Sequence, residues 1–163
     1  MADVISVDEL PILTRREVEA RILKPFLEEF SRELGKEKVK EILTRVIMEE
    51  SMAHGATQAR LHGSNQLEDI PAICGHHSEG GALETEFTWL DKNKVLFKTL
   101  SCEYCEMYRR LGMEEWGPYL SCMRDEGFFH GINPDFRFER TQVLMTGGTC
   151  CDSVITDVSR KEE

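Results

Sequence analysis

"ETEFTWLDKNKVLFKTL", residues 84–100, decides the fold class. Apolar and polar residues alternate on both sides of "DKNK", with Phe87 and Trp89 before it and Val95 and Phe97 after it. Alternation at a period of two puts successive side chains on opposite faces of a strand, so this stretch reads as a β-hairpin with a polar turn. Upstream the period changes. Ile12, Val18, Ile22, Phe26, Leu27 and Phe30 recur at mainly helical spacings with charge between them, and Pro25 is placed to kink that helix. Gly35 closes it, and Val39, Ile42, Leu43, Val46 and Ile47 mark a second helix running into "ESMAHGATQARLHG".

Residues 63–84, rich in glycine and holding Pro71, read as a long loop or an irregular cover, and a loop this long is often functional. Downstream of the hairpin, "CEYCEMYRRLGMEEWGPYLSCMRDEGFFHGI" gives two helical pieces separated near "GMEEWGP". "FRFERTQVLMTGG" and "CCDSVITDV" then predict a second strand pair joined by a Gly-Gly turn, and "SRKEE" reads as a frayed tail. The expected architecture is α+β: N-terminal amphipathic helices packed on an antiparallel sheet built from two β-hairpins with intervening helices. One domain is expected over residues 1–163, with a helical region at 1–62, a loop at 63–84 and a hairpin–helices–hairpin region at 85–158.

Composition narrows the function. A chain of 163 residues buries a core without disulfide staples. Twenty Lys and Arg against 30 Asp and Glu give a formal charge of −10, which repels a phosphate backbone and sets nucleic acid aside. No window approaches the roughly 18 apolar residues of a membrane span, and no basic-then-apolar leader stands near the start, so no membrane partner and a cytoplasmic location are expected. Six cysteines, Cys74, Cys102, Cys105, Cys122, Cys150 and Cys151, in such a chain point to free thiols, metal ligation or chemistry.

Cys102 and Cys105 fall at the first turn of a helix, where free backbone N–H groups and the helix dipole stabilise a thiolate. Cys122 and Asp125, three residues apart, share a helical face. Cys150 and Cys151 begin the last strand, so only one of them can face a common site; Asp152 shares the face of Cys150. A redox reading of the C-x-x-C pair lacks the βαβ context of such motifs, and the diverging Cys150–Cys151 side chains make a poor second half of a structural zinc site. Cys74 reads as a small buried hydrophobe. His76 and His77 suit a metal ligand, a general base or a solvated loop pair, and His54 and His62, eight residues apart, are compatible with a cleft. His130 reads as a helix-end cap, and Tyr104 with Tyr108 as core.

The order "SCEYCEMYRRLG" then "LSCMRDEGFFHGINPDFRFERTQVLMTGGTCCDSVI" resembles the L-2-amino-thiazoline-4-carboxylic acid hydrolase family. The matching positions are Cys102 with Tyr104 and Tyr108, Cys122 with Asp125, Asn133-Pro134, and Gly147 with Cys151 and Asp152. The resemblance covers residues 85–156, more loosely the N-terminal helices, and Cys105 and Cys150 depart from its pattern. It implies a small hydrolase acting on carbon–nitrogen bonds in a cyclic amidine-like substrate, as when 2-aminothiazoline-4-carboxylate is opened to N-carbamoyl-cysteine. Such a reaction needs an attacking water or thiolate, an acid for the leaving atom and a cation for the carboxylate. Cys102, Cys122, Asp125 and Asp152 are the catalytic nominees, and Arg124, Arg140 and Tyr104 the substrate-binding ones. Cys102, Cys105, Cys122 and Cys151 form a set suited to a soft metal, with zinc and iron the candidates. The expected partner is a small-molecule substrate, and the N-terminal helices suit packing on a second subunit as well as on the sheet. A reading from another class is a small-molecule or metal-binding sensor domain, since 4-vinyl-reductase-type modules look similar in their last hairpin.

Overall fold

The computed structural model describes residues 10–160. The hairpin forms as expected: β1 (Leu83–Asp91) and β2 (Lys94–Cys102) pair antiparallel with Phe87 opposite Phe97 and Trp89 opposite Val95. In the turn, the Asn93 backbone N–H donates to the Asp91 carboxylate at 2.6 Å, an Asx turn that closes the loop locally. β2 is central, because β4 (Cys151–Asp157) pairs along its other edge and β3 (Phe136–Glu139) pairs outside β4, giving the antiparallel order β1-β2-β4-β3. Helices and one four-stranded antiparallel sheet make this an α+β fold.

The second strand pair differs from a tight hairpin. β3 is four residues long, and residues 140–150 return as a loop holding a 3₁₀ turn, Leu144–Thr146, closed by Gly147 at φ 91°. Gly147 caps that turn; it does not join two strands.

α1 (Ile12–Leu34) runs as one helix through Pro25. Ala20 and Leu27, on either side of the proline, are buried in a cluster with Met107, Tyr108 and Trp116, and that packing outweighs one lost backbone hydrogen bond. After Gly35, α2 (Lys36–His62) follows at once. The segment expected as a loop folds into a 3₁₀ turn at Leu67–Asp69, the short helix α3 (Ile70–Cys74) and a further 3₁₀ stretch at Gly75–Gly81. Leu67 and Ile70 are fully buried against Val95, Phe97 and Ile155 of the sheet, so this segment roofs the core. Turns this short carry no periodic signal.

α4 (Glu103–Arg110) starts directly from β2, and a π-helical turn, Pro118–Cys122, leads into α5 (Met123–Ile132). α5 and the end of α2 cover the sheet, Phe129 packing edge-on to Phe97 at 6.2 Å and stacked with Phe138 at 5.7 Å. α1 packs on α2 and α4 instead, leaving Val18, Ile22, Phe26, Phe30 and Leu34 about half exposed along one side. Residues 1–9 of the expected helical region and 161–163 of the expected tail lie outside the described residues, while Arg160 is tied down by Glu68 at 2.6 Å and Asp157 at 2.9 Å.

Candidate functional site

A cavity lies between α1, α2, α4, α5 and the sheet. Its sheet wall is a period-two pattern: Phe97 and Thr99 on β2 and Cys151 and Ser153 on β4 are cross-strand partners on one face. That register selects Cys151 for the cavity and leaves Cys150 buried away from it. Asp152 points to the other side of the strand. Its carboxylate accepts the backbone N–H groups of Thr141 and Gln142, each at 2.9 Å, and the Thr141 hydroxyl, so it clamps the β3–β4 loop and does not reach the cavity.

Cys102 lines the cavity at the end of β2, one residue before α4, and Cys105 sits behind it, buried and off the lining. The two thiols share a proton. The Cys102 thiol donating to the Cys105 sulfur eases ionisation of Cys105 and holds the Cys102 pKa well above an ordinary thiol. The Cys102 hydrogen bond thus favours charge on Cys105, while the thiol facing the cavity is held toward its protonated form. Cys122, at the end of the π-helical turn, and Cys151 also face the cavity, and burial pushes both pKa values up. Cys74 lines the cavity too, with its pKa raised by burial, and otherwise sits in the sheet core as expected of a small hydrophobe.

Asp125 projects from the first turn of α5 into the cavity. Its side chain is 41% exposed, but to the interior of the cavity, and the enclosing protein pushes its pKa up against the opposing pull of Arg140. Arg140 donates Nη1 to Asp125 at 2.6 Å and Nη2 to the Cys122 carbonyl at 3.0 Å, and it lies over the Phe138 ring at 5.1 Å. Arg124 donates Nε to the Leu120 carbonyl at 2.8 Å and pairs with Glu50 and, at 3.7 Å, Glu19. Both nominated carboxylate-binding arginines line the cavity, and each already holds an acidic partner. Tyr104 also lines it, donating its hydroxyl to the His77 carbonyl at 3.2 Å.

Among the described residues no three His, Cys, Asp or Glu side chains are arranged to hold a metal ion.

The model of the L-2-amino-thiazoline-4-carboxylic acid hydrolase family matches residues 15–154. The chain belongs to that family. This aminothiazoline-carboxylate hydrolase family member shares its fold with the phenol-responsive sensory domain of the transcription activator PoxR, solved with phenol: TM-score 0.56 at 11% identity, over 86% of this chain and 75% of that one. No curated protein matches the sequence. No helix among the described residues is long and apolar enough to cross a membrane.

The family match takes in every cavity-lining side chain from Arg16 to Ser153; Ile12 alone lies before it. Of the nominated residues, Cys102, Tyr104, Cys122, Arg124, Asp125, Arg140 and Cys151 converge on the cavity of this family member, and Cys105 and Asp152 do not. Sequence reasoning passed over Arg16, Ser51, Thr99 and Ser153, which carry no motif. It left open His54 and His77, which the fold packs into the wall against Phe128 at 5.3 and 4.9 Å. His62 is directed elsewhere, its Nε2 3.4 Å from Asp69, and His130 sits in the last turn of α5.

Proposed function

We propose that this protein hydrolyses a small cyclic substrate with a carbon–nitrogen–sulfur framework, of which 2-aminothiazoline-4-carboxylate is the type. The observation that carries the reading is the convergence of three cavity-facing thiols, Cys102, Cys122 and Cys151, on the Asp125–Arg140 pair in a chain of this family. Phe97, Phe128, Phe129 and Leu83 give the cavity an apolar wall that suits a planar ring.

The protonation states favour water as the attacking group. The hydrogen bond to Cys105 and burial raise the Cys102 pKa, and burial raises those of Cys122 and Cys151, so the cavity thiols favour their S–H form and contribute soft, weakly donating walls for a ring sulfur. Water adds across the C=N bond of the amidine-like carbon; Asp125, whose enclosure favours its acid form, gives a proton to the ring nitrogen. Collapse of the tetrahedral carbon to a carbonyl breaks the C–S bond, and the sulfur leaves as a thiol, which gives N-carbamoyl-cysteine from the aminothiazoline. Arg140 steadies the carboxylate left on Asp125.

The test is mass-spectrometric detection of N-carbamoyl-cysteine after incubation with 2-aminothiazoline-4-carboxylate. Asp125→Asn is expected to lower kcat by about 10²-fold or more, while Cys102→Ser keeps turnover. Loss of all turnover in Cys102→Ser would make Cys102 the nucleophile instead. A sensor-type reading is supported by the fold shared with a phenol-responsive domain and by the aromatic lining. Calorimetric binding of phenol with no turnover of the aminothiazoline would favour that reading.

A further inference from the structure

A second wall of the cavity is made of imidazoles. His54 comes from α2 and His77 from the 3₁₀ stretch after α3, both on the lining, and His76 stands beside them. The ring centroids are 3.9 Å apart for His76–His77, 5.8 Å for His54–His76 and 6.3 Å for His54–His77. His76 Nδ1 lies 2.9 Å from the Ile73 carbonyl oxygen, which only accepts, so Nδ1 carries the proton and Nε2 is bare. That Nε2 is buried with no partner. The Tyr104 hydroxyl fixes the His77 backbone from α4, the helix that follows Cys102, and the His77 ring nitrogens take no hydrogen bond from any described residue. An imidazole held in place, facing a cavity and without an internal partner is chemically idle unless a ligand or its water engages it.

The surroundings keep it neutral. Around His77 stand His76 of its own stretch, His54 of α2 and Arg15 and Arg16 of α1, with the Tyr104 hydroxyl of α4 on its carbonyl; Glu50 of α2 and Arg124 of α5 act on His54, Glu79 on His76, and Asp125 of α5 on Tyr104. Burial is the first cause of its lowered pKa, followed by His76, His54 and the two α1 arginines.

We infer that His77 is the base of this cavity, taking the proton of the attacking water, and that His76 is its positioning residue. The inference rests on the hydrolase reading. As the water oxygen bonds to the amidine-like carbon, one water proton passes to the His77 lone pair, the C=N electron pair moves to the ring nitrogen, and that nitrogen takes the Asp125 proton. As the tetrahedral carbon collapses, its hydroxyl proton returns to Asp125, the C–S bond breaks, and the departing sulfur takes the proton from His77. Both residues end as they began, and one water is consumed.

The experiment is the pH dependence of 2-aminothiazoline-4-carboxylate opening by the full chain. Wild type is expected to lose kcat/KM on an acid limb below the ordinary histidine range. His77→Gln is expected to lose kcat by about 10²–10⁴-fold with KM little changed and the limb abolished. His76→Gln removes an influence that lowers the His77 pKa, so its limb moves to higher pH. His77→Ala, checked for an unchanged circular dichroism spectrum, is partly rescued by added imidazole. Should His77→Gln match wild type in rate and limb, or should imidazole leave a folded His77→Ala unrescued, the inference falls while the hydrolase reading stands. Wild type that does not open the substrate overturns the hydrolase reading and this inference together.

Discussion

Cys102 and Cys105 act as one unit with a single easy deprotonation, and that coupling is testable. Cys105→Ala removes the sulfur to which Cys102 donates, the largest cause of its raised pKa, so alkylation of Cys102 by iodoacetamide at neutral pH is expected to quicken, with mass mapping to confirm the site. The three imidazoles make a second prediction at the same scale. His54, His76 and His77 have folded pKa values below the ordinary 6.5, so between those values and 6.5 the unfolded chain binds more protons than the folded one. Their contribution is therefore intact above about pH 6.5 and lost as pH falls through that value into the depressed folded range. Urea midpoints are expected to drop between pH 7 and pH 5, and to drop less in His77→Gln. Glu68, held near 2 by Arg160, loses its contribution mainly as pH falls from about 4.5 toward 2, below the window of the imidazoles.

At the scale of elements, the site depends on how closely α2 and α5 approach. A Cβ on Gly55 would lie 2.1 Å from the Phe128 carbonyl oxygen, and one on Gly131 would lie 2.1 Å from that of Met52. Both obstacles are backbone, so a side chain at either position forces the helices apart, and with them His54 and Ser51 on one side and Asp125 and Phe128 on the other. Gly55→Ala or Gly131→Ala is expected to cost about 1–3 kcal/mol by urea denaturation. Gly75→Ala is the control: nothing lies within 4 Å of its Cβ, and a change within about 0.5 kcal/mol is expected.

Across the whole molecule, Arg160 joins the end of the sheet to the roof. It donates to both carboxylate oxygens of Glu68 at 2.7 and 2.6 Å, to Asp157 at 2.9 Å and to the Lys92 carbonyl at 2.9 Å. Asp157 is buried, so Arg160→Ala leaves that carboxylate with only its Ser159 partners. A loss of about 1–3 kcal/mol in urea denaturation is expected. The exposed Glu68 contacts add little to that figure, because solvent screens them. The half-exposed apolar side of α1 lies on the outside of the molecule.

Periodicity alone determined the hairpin at residues 84–100, the two long N-terminal helices and the α+β class, because hydrophobic spacing is a local property of the chain. The cysteine and aspartate positions 102, 122 and 125 were legible as candidates, since each sits at an element end that the pattern marks, whereas the choice between Cys150 and Cys151 was left open by spacing and named only by the family resemblance. Only the tertiary structure decided the rest. The roof at Leu67–Gly81 is too short and mixed for a period, and Pro25 stays helical because packing overrides propensity. Cross-strand register turned Cys151 inward and sent Asp152 to the loop. Tertiary packing, which no local window encodes, raised the pKa of the cavity thiols, through Cys105 at Cys102 and burial at Cys122, and gathered His54 of α2 with His76 and His77 of the roof into one wall whose burial favours the neutral rings.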